Sequence, residues 1–88
     1  MNAIVTVTGL DTTGIVAAVA GHLAQKNINI LDISQQTMGE YFAMILEIQL
    51  GDQPNMLELQ ESLRSLGEER GLVITLQSHV IFDAMHDL

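Results

Sequence analysis

Cysteine is absent from the 88-residue sequence, so disulfides, thiolate-bound zinc and thiol nucleophiles are excluded, and a reducing compartment fits. Positive charge is nearly as scarce. Lys26, Arg64 and Arg70 face 11 acidic residues, for a formal net charge of −8. Such a chain repels phosphate, so direct nucleic-acid binding and attachment to an anionic membrane are not expected. Aromatic bulk is limited to two Phe and one Tyr, which leaves the core to Ile, Leu, Val, Met and Ala. No stretch approaches the ~20 apolar residues of a membrane span. The opening "MNAIVTVTG" lacks the basic segment and apolar run of a secretory signal, and the expected location is cytoplasmic. What the sequence does have is aliphatic content. Hydrophobic residues make up 48% of the chain, too many for a disordered polymer and enough for one core in one domain spanning residues 1–88.

Alternation places Ala3, Val5 and Val7 on one side of a strand and Ile4, Thr6 and Thr8 on the other. After a Gly-containing turn, Ile15, Val16, Val19, Ala20 and Leu23 form one helical stripe, with Thr12 or Thr13 placed to cap it and Asn27 to end it. Residues 28–37 read as a second strand and Met38, Gly39 and Glu40 as a tight turn. Tyr41 to Leu50 alternates again, so these two strands should form a hairpin. "GDQPN" breaks the pattern, and Met56, Leu59, Leu63 and Leu66 mark a second amphipathic helix that Gly71 ends. Leu72 to Ser78 gives the fourth strand. Ser78 then caps a short C-terminal helix carrying Ile81, Met85 and Leu88. There is no linker, repeat or low-complexity tract.

The order β-α-β-β-α-β with right-handed crossovers places both helices on one face of an antiparallel four-stranded sheet, a ferredoxin-like α+β sandwich. The other face carries Ile4, Thr6, Ala43, Ile45, Val73 and Thr75, joined by Leu31 and Ile33 if the second strand bulges. That apolar face calls for cover, from the last helix or from a second subunit.

"GLDTTG" has the outer spacing of a phosphate-binding loop, but Ile15 and Val16 stand where Lys and Ser or Thr are required, so phosphate binding is not expected. A helix N-terminus still offers unpaired N–H groups and a positive dipole end to a carboxylate. Asp11, beside it, favours a cation. The pair matches the zwitterion of an α-amino acid; the plainer alternative is that Asp11 or Thr12 only caps the helix.

The stretch "GLDTTGIVAAVAGHLAQKNINILDIS" resembles the opening of ACT domains, regulatory modules that bind amino acids in allosteric metabolic enzymes. The element order matches over residues 1–78. "DISQ", "EYFAMILEI" and "IFDAM" resemble stand-alone bacterial ACT proteins related to the repressor of the glycine cleavage system. The resemblance implies a ligand between two domains. The turn of one supplies Leu10, Asp11, Thr12, Thr13, Gly14 and Ile15, and the second strand of the other supplies Asn29, Ile30 and Leu31. Gly9 stands where serine-binding relatives carry a polar residue.

Other candidates are weaker. His79, Asp83 and His86 fall at i, i+4 and i+7 of the last helix, a spacing compatible with a divalent metal but read first as a solvated polar edge, and no metal or cofactor is assigned. His22 and the glutamates Glu58, Glu61, Glu68 and Glu69 read as helix surface, and Ala17, Gly21 and Ala24 as a small-residue ridge. The expected function is a non-enzymatic homodimeric module that senses an amino acid or similar small metabolite and acts through an enzyme or regulator protein. The alternatives are a ligand-free protein-interaction adaptor and a small metal-dependent enzyme.

Overall fold

The computed structural model describes residues 2–51 and 55–78. Six elements follow in the expected order: β1 (Asn2–Leu10), α1 (Ile15–Gln25), β2 (Asn29–Met38), β3 (Tyr41–Gln49), α2 (Met56–Arg70) and β4 (Leu72–Ser78). The strands form one antiparallel sheet in the order β2-β3-β1-β4, so the ferredoxin-like arrangement holds. The expected C-terminal helix lies outside the described residues.

Strand alternation divides the sheet cleanly. Ala3, Val5, Val7, Phe42, Met44, Leu46, Ile48, Leu72, Ile74 and Leu76 point to the helices and are buried. Ile15, Val19 and Leu23 of α1 and Leu59 and Leu63 of α2 close the core from above. Burying each such side chain contributes about 1.5–3 kcal/mol, which is what holds two short helices to the sheet. On the opposite face Ile4 is buried, whereas Ile45 and Val73 are 42% and 64% exposed. Threonines interrupt that face, and the Thr6 and Thr75 hydroxyls hydrogen-bond across β1 and β4.

Strand β2 does bulge, between Ile30 and Asp32, but the consequence is opposite to the expectation. The extra residue, Leu31, shifts the register so that Ile33 pairs with Leu46 and falls on the helix side, while Ser34 and Gln36 face the open side opposite Ile45 and Ala43. The open face is therefore more polar along β2 than alternation without a register shift suggests.

The helix ends explain the chain's turns. α1 closes in a Schellman arrangement: Asn27 adopts φ 59°, its N–H donates to the Ala24 carbonyl at 3.0 Å, and the Ile28 N–H donates to Leu23 at 3.0 Å. At the start of α2 the Asn55 side chain accepts from the Glu58 N–H at 3.0 Å, and its amide reaches back to the Glu58 carboxylate at 3.4 Å. No helix among the described residues is long and apolar enough to cross a membrane.

Candidate functional site

β1 continues to Leu10, two residues beyond the clear alternation, because Gly9 and Leu10 pair with Phe42 and Tyr41 of β3. The turn that follows is anchored at one point: the Asp11 N–H donates to the Glu40 carbonyl at 2.7 Å, joining it to the β2–β3 turn. Gly14 sits at the N-cap with φ 87°, a left-handed conformation that a side chain would strain. No side chain caps α1, and its first turn holds no acidic residue. Thr12 and Thr13, placed by sequence to cap the helix, do not; the glycine turns the chain so sharply that helical bonding begins at once, Ala18 N–H to Gly14 carbonyl at 2.9 Å.

Leu10, Asp11, Thr12, Thr13 and Gly14 are all exposed at this end of the sheet. Ile15 is not: at 2% exposure its side chain belongs to the core, and only its backbone N–H faces the turn. The first N–H groups of the helix have no intrahelical partner, and the exposed Asp11 lies four residues before its first residue. That combination suits a small molecule bearing both charges.

Asn29, Ile30 and Leu31 lie at the other end of the sheet. Asn29 pairs with Gln49, which pairs with Asn2, while the turn follows Leu10. Eight strand steps separate those levels, about 27 Å at 3.4 Å per residue, so one chain does not bring the two groups together. Ile30 packs against the core, Leu31 at the bulge is 44% exposed, and Asn29 is exposed.

Two contacts were not legible in the sequence. His22, expected on the surface, is half-buried and bridges the helices, with its Nε2 3.0 Å from the Ser62 hydroxyl. The Ser62 hydroxyl donates its own proton to the Leu59 carbonyl at 3.0 Å, so it accepts from His22 and is not poised as a nucleophile. Burial, and secondarily the Lys26 charge, push the His22 pKa down against a smaller opposing effect of Glu69. The second contact involves Arg70, the last residue of α2. Its Nη1 lies 4.0 Å from where a Cβ on Gly14 would stand, so a guanidinium borders the turn.

The remaining polar groups are surface features. Glu61 and Glu68 both pair with Arg64, which holds the Glu61 carboxyl below the usual range, and Lys26 lies 3.9 Å from Glu58. Among the described residues no cluster of metal-ligating side chains forms; His79, Asp83 and His86 lie outside them. Ala17, Ala18 and Gly21 of α1 floor a shallow groove of about 310 Å³ with His22, Gln25, Leu66 and Arg70 along it, and Ala24 of the expected ridge does not line it. Gly9 has a packing reason of its own. A Cβ there would come within 2.8 Å of the Leu72 side chain and 3.1 Å of the Gly71 carbonyl.

Comparison with known proteins agrees with the fold. Residues 2–77 match the model of the ACT domain. A UPF0237 protein of Corynebacterium efficiens is 44% identical over 89 residues, covering the whole of both chains. Among solved structures, an ACT domain protein from Streptococcus pneumoniae superposes with a TM-score of 0.86 at 37% identity, over 94% of each chain. A candidate glycine cleavage system transcriptional repressor superposes at 0.77 with 25% identity, over 86% of this chain and 44% of its own. With the family model spanning nearly every residue and a full-length relative at that identity, the chain belongs to the ACT-domain family, within the UPF0237 group.

Proposed function

We propose that this chain is a regulatory module that binds an α-amino acid or similar small metabolite at the β1–α1 turn, in a site completed by a second copy, and passes the bound state to a protein partner. The observation that carries this reading is the uncapped N-terminus of α1 beside the exposed Asp11. Backbone N–H groups of residues 13–15 hold the ligand carboxylate, and Asp11 takes the ammonium.

The edge strand supports the second copy. β2 is ten residues long, lies at the sheet edge, and is exposed along nearly its whole length. An unpaired edge of that length is a template for another strand. Antiparallel pairing of β2 with β2 of a second copy about a two-fold axis near Ile33 and Ser34 sets Asn29 of one chain opposite Met38 of the other. Met38 leads directly into the turn whose Glu40 carbonyl holds Asp11. The Asn29 amide then closes the site, with Leu31 beside it. The family's membership favours a regulatory over a catalytic role, and the His22–Ser62 pair is spent on joining helices.

A thermal-shift panel of the twenty standard amino acids, with light scattering in parallel, tests the reading. The expected result is a raised melting temperature with at least one amino acid and a solution mass about twice the 9.6 kDa of one chain. Saturation at a hundred times Kd stabilises the native state by about 2.7 kcal/mol. A strict monomer that no amino acid stabilises overturns it.

A further inference from the structure

We propose that Arg70 is the specificity-determining residue of the turn site, selecting ligands with a free carboxylate; this rests on the reading above of the turn as an amino-acid site.

The argument starts from how few cations the chain has. Of Lys26, Arg64 and Arg70, the first lies beside Glu58 and the second is clasped by Glu61 and Glu68. Arg70 alone makes no ion pair among the described residues, in a chain with 11 carboxylates. It also borders the N-terminus of α1, 4.0 Å from the Cβ position of Gly14, where no acidic first-turn residue meets it as Glu58 of α2 meets Lys26. A guanidinium and the positive end of a helix dipole repel each other unless an anion lies between them. Among the described residues none is supplied: α1 has no side-chain cap and no acid in its first turn, and Asp11 makes no ion pair with Arg70.

Two features suit Arg70 to a carboxylate. The planar fork of its guanidinium matches two carboxylate oxygens, which a lysine ammonium does not. Its backbone is also well placed, because α2 ends there against β4, with Gly71 as C-cap and Leu66 packed on the core. Gly14 contributes by lacking a Cβ, leaving the space between guanidinium and backbone N–H groups open. A ligand carboxylate entering that space meets the helix N–H groups on one side and Arg70 on the other, while Asp11 remains for the ammonium.

The test compares each amino acid that binds in the thermal panel with its own carboxamide, by titration calorimetry on the wild type, Arg70→Gln, Arg70→Lys and Arg64→Gln. Arg64→Gln removes the same charge from an exposed residue of the same helix that is held by Glu61 and Glu68, and so controls for net charge. The expected result is a wild-type preference for the acid that falls about tenfold or more in Arg70→Gln, is partly kept in Arg70→Lys, and is unchanged in Arg64→Gln. Thermal melts of the variants without ligand show that each is folded. An acid-to-amide ratio in Arg70→Gln within twofold of wild type overturns the assignment of Arg70 and leaves the turn site standing. No binding of any amino acid to the wild type overturns both.

Discussion

Gly67 offers a sharp test of the packing that fixes the end of α2. Within a helix, replacing glycine by alanine ordinarily stabilises by up to about 1 kcal/mol. Here a Cβ on Gly67 would lie 2.5 Å from the Leu72 carbonyl oxygen and 3.4 Å from Ile74 Cγ1. The clashing atom is backbone, in the first residue of β4, and Leu72 is paired with Gly9 of the central strand β1, so it has little room to yield. Overpacking of that kind costs about 1–3 kcal/mol and outweighs the helix propensity gained. For a domain of this size each kcal/mol lowers the melting temperature by about 4–8 °C. Gly21 is the matched control: it is helical and exposed, and nothing lies within 4 Å of its Cβ position. Urea denaturation should place Gly67→Ala below wild type and Gly21→Ala above it, with unchanged m-values. If both alanines stabilise the protein, the close approach of α2 to β4 is refuted.

Further outcomes follow from the same structure. The folded-state pKa of His22 is depressed, so its neutral form contributes stability that is present above the ordinary value of 6.5 and lost as pH falls through the lower folded value. Urea midpoints at pH 7.5 and 5.5 should therefore differ more for wild type than for His22→Gln, and an equal or smaller difference would contradict the bridging placement. Gly14→Val forces a β-branched residue into positive φ at a cost of about 1–3 kcal/mol, and should also abolish ligand binding by filling the turn; an unshifted melt would show that the turn is not held as described. The isolated protein should show no salt-sensitive binding to a DNA duplex in a gel-shift assay, since −8 of net charge opposes it, and tight binding would contradict the electrostatic argument.

The element order was legible because each strand and helix carries its own period: the β1 and β3 alternations and the stripes through Val19 and Leu63 name the core without any tertiary information. β2 was harder. "INILDIS" holds apolar residues at both odd and even positions, so alternation alone cannot tell which face Ile33 takes; the bulge decides it, and its position depends on hairpin register. At the start of α1 the two threonines suggest a side-chain cap, whereas the left-handed Gly14 does the turning. The acidic turn itself was visible in "LDTTG". The contact of His22 with Ser62 and the approach of Arg70 to the open side of Gly14 were not, since each brings together residues far apart in the chain whose meeting depends on how the two helices lie across the sheet.

The central claim is that the β1–α1 turn is a ligand site rather than a helix end. Titration calorimetry of the strongest amino acid from the thermal panel, against wild type, Asp11→Asn and Asn29→Ala, tests it most directly. Asp11→Asn keeps the shape of the side chain and the backbone hydrogen bond to Glu40 while removing the charge proposed to take the ammonium. Loss of one charge-assisted hydrogen bond is worth about 1.5–3 kcal/mol, so affinity should fall about ten- to hundredfold in a variant that melts like wild type. Asn29→Ala should weaken binding as well, through the second copy. Affinity unchanged in both variants, with folding intact, would place the ligand elsewhere and contradict the account.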